Sequence, residues 1–595
     1  MTYQPPVREH LFLLKEVLEL DKFANLPSFS DAPMDVVEQI LEEAAKFCAE
    51  VLAPLNSVGD KRGCVWNPDG SVTTPPGFKQ AYRLLVDGGW PALGAEAAYG
   101  GQGLPAVVNL AFSEMSSSAN MAFSMYPGLT HGAYSAILAG GSDAQKDLYL
   151  PKLASGEWGG TMNLTEPQCG TDLGLIRTKA VPAGDGTYKI SGQKIWISSG
   201  EHDLAPNIVH LVLARIEGAP EGVRGISLFI VPKFLPDAEG KPGARNSVRC
   251  AGLEEKMGIH GNATCVISHE ESTGWLVGEE NRGLAIMFVM MNEARLGVGL
   301  QGLSQGEAAY QAAAAFARDR LQMRSLTGPK NPSGPADPII VHPDVRRMLM
   351  DARAVLEGGR ALIFWTALHG DLARRHPDEA VRQKAEDYMA LLTPVLKGFL
   401  TEKGFLIASD ALQVHGGSGY TEHFPASQYL RDSRITLIYE GTNGIQALDL
   451  VGRKLALHGG RPVLTFAAEI DAFVEANRAD AALKPFLDGL AAAKAQLQDG
   501  TYWLLQNGPA NPDNAGAGSM DYLRLFGLTG LAYMWALMAK VANAKIAAGD
   551  TDPFYASKLT VGRYFLERVL PDTGACLAKL KMGAAAVMAL PAEAF

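Results

Sequence analysis

Apolar residues recur at three- and four-residue spacing along most of this chain, and one central stretch breaks the rhythm. After Pro33, the positions Val36, Val37, Ile40, Leu41, Ala44, Phe47, Cys48, Val51 and Leu52 form one face of an amphipathic helix, which the spacing predicts to stop before Pro54. Helical patterns separated by Gly/Pro breaks continue to about Lys152. From Gly159 to about Val277 the texture changes to short β-branched runs, YKISGQKIWISSG, HLVLARI and GISLFIVPKF, divided by Gly, Pro and Asn. That alternation predicts a β domain set between helical ones. Helical periodicity returns at Gly283 and runs to about Leu457, interrupted at 325–338 by SLTGPKNPSGPADP, a predicted surface loop. Residues 458–595 are Ala-rich and helical in pattern, broken at 507–519 by NGPANPDNAGAGS, and are long enough for a domain of their own. The apolar run Leu525–Ala539 falls short of the ~20 residues that span a bilayer and contains Gly527 and Gly530, so it predicts a buried helix and not a membrane span.

Composition narrows the function classes. With 595 residues, 47% hydrophobic and 20% charged, the chain has the makeup of a globular protein with ample core. A net charge of −11 argues against a nucleic-acid partner. The six cysteines, Cys48, Cys64, Cys169, Cys250, Cys265 and Cys576, are scattered without a CxxC pair, so neither a disulfide framework nor a metal site is expected. The N-terminal segment has no uninterrupted apolar core of the signal-peptide kind, and a reducing, cytoplasmic location is expected. No short internal repeat is present. No phosphate-binding G-x-x-x-x-G-K-[ST] occurs, and no G-x-G-x-x-G follows a strand. Gly302-Leu303-Ser304-Gln305-Gly306 matches a nucleophile elbow, yet it sits inside a continuing helical pattern where that motif has no strand to follow.

Several further motifs occur in a fixed order: YGGQG at 99–103, TEPQCGTD at 165–172, GQKIWISSG at 192–200, RDRLQM at 318–323, QVHGG at 413–417, RDSRI at 431–435 and IYEGT at 438–442. This ordered set, over about residues 36–455, resembles the acyl-CoA dehydrogenase family. The resemblance implies an α+β multidomain fold: an N-terminal helical domain (36–158), a central β-barrel (159–280) and a C-terminal four-helix bundle (281–457). Flanking these would be an N-terminal helical extension (1–35) and an extra helical domain (458–595). It also implies FAD held between barrel and bundle, loss of the α proton of an acyl-CoA thioester to a protein base, and hydride transfer from the β carbon to flavin N5.

The base implied is Glu440. Ala294 stands where a few family members carry the base instead, and Glu293 lies on another helical azimuth. The resemblance assigns FAD contacts to Met162, Leu164, Thr165, Trp196 and Ser198 around the flavin ring. Arg320, Gln322, Met323, Gln413, Gly416 and Gly417 would reach the FAD of a neighbouring subunit, and Thr442 and Asn443 would touch the nucleotide. On the substrate side it assigns Thr171 near the pantetheine, Arg295 and Tyr439 along the acyl cavity with Ala285 to Met291, and Gly441 for close backbone approach. Chemically the set is coherent: hydroxyl and indole groups suit a flavin ring, and an arginine fork suits a pyrophosphate. Shared FAD sites imply a homodimer, and Trp196 implies an electron-transferring flavoprotein as oxidant. The two extra segments resemble the long bacterial branch, implying 3-(methylthio)propanoyl-CoA as substrate, in dimethylsulfoniopropionate catabolism. The alternatives are a medium- or long-chain fatty acyl-CoA of β-oxidation, or an oxygen-using acyl-CoA oxidase.

Overall fold

The computed structural model describes residues 3–595, so the first two positions of the 1–35 extension lie outside the described residues. The extension carries α1 (Val7–Leu11). The helix expected after Pro33 runs as α2 (Met34–Phe47) but does not stop before Pro54. A π-helical turn, Cys48–Leu52, leads into α3 (Ala53–Arg62), with Pro54 in its first turn, where the missing N–H breaks no helical bond. The short hairpin β1 (Val65–Trp66) and β2 (Val72–Thr73) precedes α4 (Phe78–Asp87). Next come the long α5 (Ala106–Gly140) and α6 (Asp143–Ala154), the latter started by a Ser142–Gln145 capping box. Helix α5 is bent at Asn120 (φ −161°, ψ 89°), whose side-chain oxygen caps the restart by accepting from Phe123 N at 3.1 Å.

The central β region comprises β3 (Gly159–Asn163), β4 (Lys179–Pro182), β5 (Tyr188–Ser198), β6 (Ile208–Ile216), β7 (Ile226–Pro232), β8 (Phe234–Pro236), β9 (Pro242–Arg245), β10 (Val248–Leu253) and β11 (Thr264–Val277). Strands β11, β5, β4, β6 and β7 pair in a ring that closes when β7 returns to β11, giving a five-stranded barrel. β10 is added at β11, β3 lies parallel to β6, and β8 and β9 form a separate hairpin. Closure explains the uninterrupted burial of β7, whose seven residues are all enclosed.

After the barrel, α7 (Gly283–Asp319), α8 (Pro343–Arg375), α9 (Glu379–His415) and α10 (Ala426–Arg434) build the bundle, followed by α11 (Asn443–Asp449). Then come α12 (Arg461–Asn477), α13 (Lys484–Asn507), α14 (Pro512–Ala547), α15 (Pro553–Tyr564) and α16 (Asp572–Leu580). The break expected at 507–519 is shorter: Asn511 caps α14, accepting from Asp513 N, and Gly516 and Gly518 are helical. The 458–595 segment shares the core of the bundle. A Cβ at Gly358 would meet Trp535 at 2.8 Å, at Gly398 Leu523 at 2.6 Å, and at Gly527 Phe399 at 2.5 Å. The expected buried helix Leu525–Ala539 is the middle of α14, with Leu525, Phe526, Leu531, Met534, Trp535 and Met538 fully enclosed.

The G-x-S-x-G match is explained by packing. A Cβ at Gly302 would lie 2.6 Å from Thr401 Cα, so the two glycines Gly302 and Gly404 let α7 and α9 touch backbone to backbone. Ser304 is buried and donates to Leu300 O at 2.8 Å, which leaves it no nucleophilic role. Buried ion pairs join the extension to distant helices. Arg360 on α8 binds Glu114 and Glu307 at 2.7 Å each, His10 lies 2.9 Å from Glu114, and Lys558 bridges Glu9 and Glu357.

Candidate active site

The IYEGT segment forms a tight bend between α10 and α11. Glu440 (φ 58°) and Gly441 (φ 84°) occupy the left-handed region in succession, a conformation that costs a non-glycine residue about 1–2 kcal/mol. Gln446 Nε2, one turn into α11, donates to Glu440 O at 3.1 Å and Gly441 O at 3.2 Å. From α9, Lys397 Nζ donates to Gly441 O at 2.7 Å. With these carbonyls engaged, the Glu440 N–H has no acceptor among the described residues.

Burial pushes the Glu440 carboxyl up to about 7, while Arg295 and Lys397 draw it back toward the charged form. The same low-polarity setting pushes the Lys397 ammonium down to about 7. Arg295 is enclosed, pairs with Asp449 Oδ2 at 3.9 Å, and has no partner for its Nε. It thus joins the bend to α11 and also acts on the carboxylate. Tyr439 packs with Ile435 against Met121, Ala122, Met125 and Ile259, beside the α5 bend, and its hydroxyl donates to Gln301 Oε1.

A second group lies on the barrel. The β5–β11 register slips between Cys265↔Ile197 and Ile267↔Lys194, so Ile195 and Trp196 together oppose the single residue Val266. At this bulge Trp196 takes φ 59° and its indole stands 61% exposed, the cradle expected of a ring-stacking surface. Ile195 N donates to Thr165 O at 2.9 Å, which sets Thr165 beside the bulge, with Ser198 and Met162 half-buried nearby. Neither the Thr165 nor the Ser198 hydroxyl has a hydrogen-bond partner among the described residues. The donor set and the exposed indole fit a flavin ring. Leu164 is a correction: its side chain lies in the core, leaving only its backbone for a cofactor.

The remaining expected FAD residues gather at the end of the bundle. Arg320, Gln322 and Met323 ride on a hairpin closed by Gln322 N to Asp337 O and Asp337 N to Met323 O, both 2.9 Å. The 325–338 loop is not slack. The enclosed Asp337 carboxylate accepts from Ser325 N, Lys330 N and Asn331 N at 2.7–2.9 Å, and these bonds hold it at about 2 against the effect of burial. Arg320 lies 4.8 Å over the Phe316 ring, which in turn packs 4.5 Å from His415, next to the exposed Gln413, Gly416 and Gly417. Thr442 is exposed and caps α11, accepting from Ile445 N.

Asn443 is a second correction. Its side chain turns into the bundle, accepting from Lys397 Nζ at 3.0 Å and Thr401 Oγ1 at 3.1 Å and donating to Gly398 O at 3.0 Å, which leaves only its backbone for a nucleotide. The Ala285–Met291 stretch is a third: it is no single pocket wall, because Ile286, Met287 and Met290 pack against α5 and the barrel while Ala285 and Phe288 face outward. Thr171 is exposed on the loop after β3.

Residue typing missed the supports. Glu166 accepts from Lys194 Nζ at 2.8 Å, Arg177 N at 2.7 Å, Thr178 N at 3.1 Å and Thr178 Oγ1 at 2.6 Å. Burial opposes its charge, but Lys194 and these bonds prevail and hold it at about 2. The signals were present: Lys194 occupies an inward position of an alternating strand, and Lys397 interrupts the apolar PVLKGFL of α9.

Comparison with known proteins agrees with this layout. The family models "Acyl-CoA dehydrogenase, N-terminal domain", "middle domain" and "C-terminal domain" match residues 35–157, 161–272 and 281–455, and "Acetyl-CoA dehydrogenase C-terminal like" matches 466–591. The chain is 46% identical to the 3-methylmercaptopropionyl-CoA dehydrogenase of Ruegeria pomeroyi over 97% of each chain. It is 36% identical to the broad-specificity linear acyl-CoA dehydrogenase FadE5 of Mycobacterium tuberculosis over 96% of each. The crystal structure of Caenorhabditis elegans ACDH-11 in complex with C11-CoA superposes with TM-score 0.76 at 19% identity, covering 96% of this chain and 92% of that one, a likeness of fold. Barrel, bundle, glutamate-bearing bend and near full-length relatives together show that this chain belongs to the acyl-CoA dehydrogenase family of FAD-dependent oxidoreductases.

Proposed function

We propose that this acyl-CoA dehydrogenase converts 3-(methylthio)propanoyl-CoA to its 2-enoyl-CoA, with Glu440 as the base that removes the α proton. The observation that carries the chemistry is the Glu440 bend, a carboxylate poised near neutrality beside a free backbone N–H. A carboxylate of ordinary acidity in water is a poor base for an α proton, and burial raises its proton affinity toward the working pH. As the proton leaves, charge grows on the thioester oxygen, and the Glu440 N–H is available to bind it. Tyr439 with Met121, Met125 and Ile259 walls this side of the bend with apolar surface and excludes water. The identity to the Ruegeria protein over nearly the whole length supports the methylthio substrate.

FAD supplies the hydride acceptor when bound. Thr165 and Ser198 would donate to its ring system, Trp196 would cover one face, and Met162 would lie at an edge. From Lys397 to His415, α9 rises about 27 Å, which supports assigning Arg320, Gln322, Met323, Gln413, Gly416 and Gly417 to the nucleotide of a second copy in a homodimer. Thr442 would meet the nucleotide, and Thr171 the pantetheine. A cytoplasmic enzyme that passes electrons to an electron-transferring flavoprotein completes this reading, with the protruding Trp196 on the electron path.

Anaerobic stopped-flow of the FAD-loaded enzyme tests it. Methylthiopropanoyl-CoA should bleach the flavin, and Glu440→Gln should keep the yellow flavin but lose nearly all reduction. Wild-type reduction by Glu440→Gln would overturn the base. A clear preference for octanoyl- or palmitoyl-CoA would overturn the substrate. Rapid reoxidation of substrate-reduced enzyme by air would overturn the electron-transferring flavoprotein in favour of an oxidase.

A further inference from the structure

Lys397, like Gln446, holds the bend although residue typing assigned it no role. It sits mid-way along α9, 0% exposed, and its ammonium has no carboxylate within 4 Å among the described residues. Two of its three N–H donors are accounted for, at 2.7 Å to Gly441 O and 3.0 Å to Asn443 Oδ1. Asn443 is locked in turn by Thr401 and by Gly398 O, so one turn of α9 grips both residues that bracket Thr442. A buried ammonium with only neutral partners is costly, and the carboxylate that acts on it is Glu440.

We propose that Lys397 is a positioning residue for the Glu440 base: its enclosed ammonium clamps the left-handed bend through Gly441 O and Asn443, and its charge helps keep the carboxylate ionised. The inference rests on Glu440 being the base. Two consecutive left-handed residues hold their shape only where the surroundings over-determine them, and the Lys397 and Gln446 bonds supply that constraint. The charged groups around the carboxylate are few. Arg295 faces it from α7, itself paired with Asp449 of α11 and near Arg453 and Lys454, and Lys397 faces it from α9. On the Tyr439 side, α5 and the β10–β11 loop contribute the apolar cluster Met121, Ala122, Met125 and Ile259. Removing Lys397 therefore removes one of two cations that favour the charged base.

The test uses the full-length FAD-loaded enzyme and three variants. Lys397→Met should slow flavin reduction at pH 7 by about tenfold or more with KM within about threefold, and move the acidic limb of the rate profile up by about one pH unit. Lys397→Arg should keep the wild-type limb. Lys397→Gln, which retains a donor for Gly441 O and guards against poor folding of the methionine variant, should move the limb while losing less rate. A second readout isolates the base: α-proton exchange of butanoyl-CoA in D2O by dithionite-reduced enzyme, where hydride transfer cannot occur, should slow in parallel. An unmoved limb in folded Lys397→Met or Lys397→Gln, or a raised KM at unchanged kcat, overturns the proposal. Glu440→Gln separates the two readings: if it is inert while both neutral Lys397 variants behave as wild type, the base stands and the Lys397 role falls. If Glu440→Gln exchanges α protons normally, both fall.

Discussion

Replacing Lys194 by methionine isolates the support beneath the flavin-facing residues. Lys194 Nζ is fully enclosed and makes two bonds, 3.0 Å to Leu164 O and 2.8 Å to Glu166 Oε1. Methionine matches its length and leaves a buried carboxylate without its cation and a carbonyl without its donor. Breaking a buried pair from one side costs about 3–5 kcal/mol, and the donors that remain on Glu166, from Arg177, Thr178 and Gln168, place this case near the lower bound, about 3 kcal/mol. At about 2–4 °C per kcal/mol for a cooperative unit of 150–250 residues, the melting temperature should fall by about 6–12 °C. The pH dependence has a definite sign. Glu166 is held at about 2, below its ordinary 4.5, so its contribution is complete above about 4.5 and is lost as pH falls toward 2. The gap between Lys194→Met and wild type should thus be widest at neutral pH and narrow on acidification. Because Thr165 and Trp196 stand on the two segments this pair ties together, FAD affinity should weaken as well. Lys194→Met/Glu166→Gln should lose less than Lys194→Met alone, since no unpaired charge remains. Scanning calorimetry at pH 7 and pH 3, inside the window between about 4.5 and 2 where the Glu166 contribution is lost, with flavin fluorescence for release, reads these effects. Equal melting and equal FAD retention in Lys194→Met and wild type would refute the reasoning.

Other expectations concern the bend, the helix crossing and the terminal segment. Flavin reduction by wild type should rise with pH through an acidic limb near 7, because the raised Glu440 carboxyl must lose its proton to act; a limb near 4.5 would refute the burial effect. Gly441→Ala, at φ 84° with a Cβ 2.7 Å from Gln446 Nε2, should lower the reduction rate at least tenfold and cost about 1–3 kcal/mol of stability, read by stopped-flow and melting. Gly302→Leu should destabilise by more than about 3 kcal/mol, since even a Cβ meets Thr401 Cα at 2.6 Å, whereas Ser304→Ala should cost under about 1.5 kcal/mol and leave activity intact. Truncation after Leu457 should give aggregated protein lacking a cooperative melt, because it strips Trp535, Leu523 and the rest of α14 from the bundle; a soluble, cooperatively melting product would refute the shared core.

The patterning of the chain carried the architecture further than the site. The 159–277 interval of alternation and the return of helical spacing at Gly283 coincide with β3, β11 and the start of α7, since buried faces leave their period in the residue order. Proline and glycine misled where neighbours supplied compensation. Pro54 opens a helical turn after a π-turn instead of ending a helix, and Gly518 is helical because Leu580 packs where its side chain would be. Motif order pointed to Glu440, yet it could not say that Asn443, two positions after Gly441, turns inward, because the partner that draws it, Lys397, lies more than forty residues earlier.

By itself the sequence determined which residue types occur in which order: the helix–barrel–helix succession, the Glu440 motif, and the hydroxyl and indole groups suited to a flavin. Tertiary structure alone decided what those groups can do. Proton affinity depends on burial and on charges brought in from other elements, here Arg295 from α7 and Lys397 from α9. The exposure of Trp196 depends on a register slip between strands β5 and β11. Each is a property of contacts distant in the chain, and the pattern of residues along it records only which faces are buried, not what they are buried against.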